Sequence, residues 1–227
     1  MNLVEYPYPI MISGSFEIPT EAARRLIPAG VEPLEPWNGA SVLTVTLFEF
    51  SESPVGPYQE VVLSLFVVPR LIKGDLFPHG AVAPILLGST HLEARQHAID
   101  LWHLPHFHED IRIEFQGSED GRCMTGRVLC PRDEEILELN VTHSGTWSRV
   151  CRQYQSFQAD ETGLYISKID WSGALSEHEE GTGSVHFRSH RFFDAFPVQL
   201  NIDSPPLREM WMKEGMEAIH NPPRRLA

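Results

Sequence analysis

The sequence predicts a mostly β (α+β) chain: a single domain built on an antiparallel β-barrel with a few flanking helices. Three observations carry that prediction. Short runs rich in Val, Leu, Ile, Thr and Phe recur between clusters of Gly, Pro, Ser and Asn, the rhythm of a strand meander. At least one run is apolar on both faces, as a strand covered on both sides must be. The 227 residues are 42% hydrophobic and 22% charged, enough to bury a core without a disulfide or metal staple. No compositional shift or internal repeat divides residues 1–227.

Taken in order, a short helix comes first, with Thr20 as its N-cap, Glu21 to Ile27 as its body and Pro28 as its stop. A loop rich in Pro, Gly and Asn leads to a β-rich run from Ser41 to Phe50. After the turn at Ser51 to Pro57, a second run from Tyr58 to Val68 places Val61, Leu63, Leu65 and Val67 on one face. Tyr58, Glu60, Val62, Ser64, Phe66 and Val68 fall on the other. Further strands are predicted at Ile111–Phe115, Met124–Leu129, Ile136–Thr142, Leu164–Trp171 and Val185–Phe193, separated by Gly- and Ser-rich turns. A second helix is expected to close the chain. Pro205 and Pro206 suit a helix start, and Leu207, Met210 and Trp211 follow the helical spacing i, i+3, i+4.

Charge narrows the function. Eighteen Lys plus Arg against thirty-one Asp plus Glu leave a formal charge of −13, which repels phosphate backbones and anionic lipid heads. Nucleic-acid and membrane-surface roles are therefore disfavoured, and a small-molecule substrate is expected. No window approaches the roughly 18 apolar residues of a membrane span. The first residues carry no basic region or cleavage site, and Cys123, Cys130 and Cys151 are an odd count at uninformative spacing. A cytoplasmic protein with reduced thiols is the expectation.

Two constellations carry chemistry. Glu60 adjoins a run so apolar that its carboxylate either sits solvated at the strand's mouth or faces a closed interior. There, desolvation would raise its pKa and make it an acid or base. His103, His106 and His108 lie within six residues, beside Glu109 and Asp110. If a strand starts near Pro105, His106 and His108 share a face, a pattern that suits either zinc or iron ligation or an ordinary polar outer face. Only three lysines exist. Lys73 falls in a turn and Lys213 on an outer helix face, which leaves Lys168 as the one plausible inward amine. No GxSxG, P-loop or dinucleotide fingerprint is present.

These pieces together resemble the acetoacetate decarboxylase family. Ala22-Ala-Arg-Arg-Leu-Ile-Pro-Ala-Gly-Val-Glu-Pro33 resembles the family's short helix and following turn. Val55-Gly-Pro-Tyr-Gln-Glu60 resembles its "gpY.E" segment, and Ala98 to His106 resembles its "GRE.wg.PK" signature from Trp102 through Pro105. The motifs run to about residue 116; beyond that only the strand rhythm agrees. The resemblance implies an acetoacetate-decarboxylase-like barrel with Glu60 in its cavity, and a homo-oligomer.

The departures matter more. The family's glycine, arginine and glutamate map to Ala98, Ile99 and Asp100, and its imine-forming lysine maps to His106, with Phe107 next. Imidazole has no NH2 to condense with a carbonyl, so the namesake reaction is argued against. The expectation is instead a neutral His106 base paired with a Glu60 acid in one pocket. That pair suits cofactor-free enolisation, dehydration, isomerisation or cyclisation of a small keto-acid or polyketide-like carbonyl compound. Tyr58, Phe66, Trp102, His103 and His108 are the candidate substrate contacts, and no metal is assigned. The rivals are a non-catalytic module binding an apolar carbonyl ligand, a metal-dependent lyase using the histidines, and a decarboxylase using Lys168.

Overall fold

The computed structural model describes residues 2–179, 181–194, 202 and 204–226. Its elements in chain order are β1 (Asn2–Pro19), α1 (Thr20–Leu26), β2 (Ala40–Phe50), β3 (Tyr58–Phe66), β4 (Gly80–Ser89), α2 (Leu92–Trp102), β5 (Arg112–Gly117), β6 (Cys123–Cys130) and β7 (Glu134–Thr142). They continue through β8 (Ser148–Asp160), β9 (Gly163–His178), β10 (Ser184–Phe187), β11 (Arg208–Asn221) and β12 (Arg224–Arg225).

Seven strands close on themselves in the order β1-β2-β3-β4-β8-β9-β11, with β11 returning to β1. Six of the seams are antiparallel. The β4–β8 seam is parallel and short, Gly80 to Val82 against Tyr154 to Ser156, so the barrel is not antiparallel throughout as expected. Closure removes the exposed edges that an open sheet of this length would leave. A second sheet, in the order β10-β7-β6-β5, lies against the outside of β1, β2 and β3. Ile12, Leu43, Leu47, Val61 and Leu63 from the barrel pack there with Val128, Ile136, Leu139 and Val141, all fully buried. The two layers approach so closely at Gly126 that a Cβ would lie 2.2 Å from Leu47 Cδ1, which only glycine avoids.

The alternation read on β3 holds. Val61, Leu63 and Leu65 face the second sheet, while Tyr58, Glu60, Val62, Ser64 and Phe66 face the barrel interior. Other expectations are corrected. The predicted C-terminal helix is strand β11, paired with β1 along thirteen positions and with β9 on its other side. Its helical spacing is coincidental, because Met210, Trp211 and Met212 are buried on both faces of the strand and so are apolar in succession. Thr20 is the first residue of α1 rather than its cap; Pro19 precedes the helix, and the Thr20 hydroxyl accepts a bond from Ser41. No strand begins at Pro105. The predicted strand Val185–Phe193 is β10 followed by a 3-10 turn at Arg191–Phe193.

One irregularity positions the site. Against β9, the register of β11 slips by one residue between Lys213 and Met216, and Glu214 adopts φ 48°. Such a bulge exchanges the inward and outward faces of a strand. Met210 points inward before it, and Glu217 and Ile219 point inward after it.

Candidate active site

The barrel encloses a cavity of about 90 Å³. One end is aromatic and acidic. Glu60 on β3 and Glu217 on β11 both line it, with Tyr58, Tyr6 and Trp171 around them. Glu217 sits directly across from Tyr6 on β1 and from Trp171 on β9, and Trp171 Nε1 donates to its Oε1 at 3.0 Å. Burial pushes the Glu217 carboxyl up to about 7 against the weaker opposing pull of that bond. Glu60 is buried more completely, and its pKa is driven well above the usual carboxylate range, first by desolvation and then by the negative charge of Glu217. Two carboxyls in one dry space cannot both ionise cheaply. The environment makes Glu60 the proton holder and leaves Glu217 poised near neutrality.

Helix α2 contributes His97, Ala98 and Trp102 to the lining. Trp102 Nε1 donates to Tyr6 Oη at 2.8 Å, so the Tyr6 hydroxyl turns its own proton toward His97 Nε2, 2.6 Å away. Desolvation lowers the His97 pKa, which keeps that nitrogen free to accept.

The opposite end is polar but uncharged, formed by Thr44, Ser64, Ser156, Gln158 and Ser167. Val62, Leu87 and Ile169 lie between the two ends. Glu60 and Ser64 are four residues apart on β3, which at ~3.3 Å per residue separates the ends by about 13 Å.

The sequence candidates divide. Glu60, Tyr58, Phe66 and Trp102 line the cavity. His106, His103 and His108 do not, so the chamber expected to be shared by Glu60 and His106 is not built. His106 is 8% exposed, and both ring nitrogens are committed. Nδ1–H donates to Phe107 O at 2.8 Å, which leaves Nε2 to accept from the Ser89 hydroxyl at 2.5 Å. Burial drops its pKa to about 4 despite the Phe107 bond. The ring stands one residue behind the wall, since Ser89 is the cross-strand partner of Glu60. His103 ends α2 in the left-handed conformation, φ 56°. Outside the barrel it stacks on Tyr165 with ring centres 3.8 Å apart and bonds Asp160 at 2.6 Å. His108 is exposed. The three histidines thus diverge rather than share the strand face drawn from their spacing. Among the described residues, no three His, Cys, Asp or Glu side chains converge as a metal site.

Lys168 is also corrected. Its neighbours Ser167 and Ile169 face the cavity, so Lys168 faces outward, where it pairs with Asp75 at 2.6 Å. Lys73 is exposed, and Lys213 lies outside over the rings of Trp147 and Trp211. No lysine lines the cavity. Sequence reasoning missed Glu217, Tyr6 and His97. Glu217 was hidden by the helix assignment and the bulge. Tyr6 belongs to a strand with no clear signal, and His97 lay one residue before the quoted signature.

No protein-family model matches the chain, and no curated protein does. Solved structures do. One titled as structural studies of acetoacetate decarboxylase superimposes with a TM-score of 0.66 at 10% identity, covering 100% of this chain and 90% of that one. The acetoacetate decarboxylase of Legionella pneumophila gives 0.69 at 12% identity, covering 100% and 88%. The enduracididine biosynthesis enzyme MppR, complexed with pyruvate, gives 0.65 at 10% identity, covering 100% and 91%. The fold is that of acetoacetate decarboxylase. It agrees with the resemblance in the N-terminal motifs and extends it along the whole chain. Among the described residues, no helix is long and apolar enough to cross a membrane.

Proposed function

We propose that this protein is an enzyme of lyase or isomerase type that moves protons beside the carbonyl of a small keto-acid or polyketide-like compound without forming an imine. Glu217, ionised near neutrality, removes a proton from the carbon next to the carbonyl. Glu60, held protonated, delivers its proton to the carbonyl oxygen, giving a neutral enol, with Glu217 now protonated and the single negative charge passed to Glu60. Return of the protons to other positions completes an isomerisation; loss of a β-leaving group or attack on a second carbonyl completes a dehydration or ring closure. Tyr58 and Tyr6 offer phenolic contacts beside the acids, and Phe66 and Trp102 supply apolar wall. His106 acts in this scheme by holding Ser89 beside Glu60 rather than as the base.

The observation that carries the proposal is the pair of inward carboxyls, Glu60 buried and Glu217 half-buried, with separated protonation tendencies, in a cavity that no lysine reaches. Without a primary amine, the electron sink of imine decarboxylation is missing, while proton transfer needs only the two acids. The assay is deuterium uptake at the carbon beside the carbonyl of a medium-chain ketone, followed by NMR. Wild-type protein is expected to accelerate exchange, and Glu60→Gln and Glu217→Gln each to slow it ~10²–10⁴-fold. Absence of exchange with ketones that bind would instead identify a binding module.

A further inference from the structure

The acid pair leaves a second set of groups unexplained. Thr44 Oγ1, Gln158 Oε1 and Ser167 Oγ are buried polar atoms with no hydrogen-bond partner. All three side chains line the far end of the cavity, and their residues are 5%, 3% and 2% exposed. A buried polar atom left unpaired costs the folded state free energy, so three of them facing one space mark a place where partners arrive from outside. Gln158 is the most specific of the three. Its Nε2 already donates to Ser156 Oγ at 2.6 Å, so what remains is the carbonyl Oε1, which needs a donor. The two hydroxyls can donate or accept.

Charge defines what that partner is not. No arginine or lysine lines the cavity, and the residues outside the described set include none. A carboxylate at the far end would meet no cation, and one near the acid pair would meet two carboxyls. In a space this poorly solvated, either arrangement is unfavourable.

We infer that the cavity has a second, neutral subsite at Thr44, Gln158 and Ser167, and that its ligand is an elongated carbonyl compound without an acidic group. That ligand carries a hydroxyl or amide about 10 Å from the carbonyl, which is the separation of about 13 Å between the two ends less the reach of a hydrogen bond of about 3 Å. The inference rests on the reading of the acid pair as the reactive end. It narrows the substrate to the polyketide-like class and excludes simple keto-acids.

Binding tests it without turnover, using the fluorescence of Trp102 and Trp171 in the cavity wall. Three probes suffice: a nine-carbon methyl ketone, the same ketone with a terminal hydroxyl, and the same ketone with a terminal carboxylate. The hydroxyketone is expected to bind at least tenfold more tightly than either of the others. Gln158→Leu is expected to erase its advantage over the plain ketone while leaving the plain ketone's affinity within about twofold. Ser167→Ala serves as a second, smaller truncation, with thermal melts confirming that both variants fold. The inference is overturned if the carboxylate probe binds as tightly as the hydroxyketone, if no probe binds, or if both folded variants keep the hydroxyl preference. A protein that shows this selectivity but no deuterium exchange would overturn the catalytic reading alone.

Discussion

Replacing Glu217 with glutamine tests the electrostatics of the site through stability. In the folded chain, burial raises this carboxyl from 4.5 to about 7. Between those values the folded protein keeps a proton that the unfolded chain has released, so stability falls as pH rises through the window and levels off above it. At about 1.4 kcal/mol per pH unit, the displacement makes ionised Glu217 cost the folded state on the order of 3 kcal/mol. Glutamine is nearly the same size, carries no charge, and can still accept from Trp171 through its carbonyl oxygen. Glu217→Gln should therefore match wild type near about pH 5 and exceed it by on the order of 2–3 kcal/mol near about pH 8. Urea unfolding of both proteins at several pH values across that range measures the difference directly. Parallel stability curves, or a wild type more stable than the variant at the alkaline end, would refute the placement of Glu217 in a desolvated space.

Three further outcomes follow from the geometry. Lys168→Ala should leave turnover unchanged, and borohydride treatment with a β-keto acid should add no mass to the wild-type chain, because Lys168 faces outward against Asp75. Gly126→Ala should destabilise the fold by roughly 1–3 kcal/mol in denaturant titration, since its methyl group has no room beside Leu47 in the close contact between barrel and second sheet. His106→Ala should lower the unfolding free energy by roughly 1–3 kcal/mol, the cost of leaving buried partners unpaired. It should leave KM unchanged, as expected of a side chain behind the cavity wall.

What could be read from the sequence depended on how local each feature is. The two faces of β3 were legible because strict alternation of bulky apolar residues on one face and mixed residues on the other is a property of nine consecutive positions. The residues that share a face with Glu60 were therefore legible, while the closed interior that face looks into followed only from the family resemblance, because closure of the barrel is not a local property. His106 was misplaced because its direction depends on the left-handed turn at His103 and on a bridge to Leu87 in β4, neither of which leaves a local pattern. The strand β11 looked helical for a related reason: the barrel interior on one face and the second-sheet core on the other bury Met210, Trp211 and Met212 in succession, which erases the alternation there. The bulge at Glu214 then removed what parity was left. β4 itself escaped notice because Pro84 and Gly88 weaken a strand signal that closure of the barrel makes unnecessary.

The slip in β11 also says how such a scaffold can change trade. Straightening that bulge without changing the length of the strand would turn Met216 and Ala218 toward the interior and send Glu217 and Ile219 to the far side, replacing an ionisable group with a thioether and a methyl. Loss of the bulge alone would thus leave Glu60 without its acidic partner, a larger chemical step than a typical point substitution achieves.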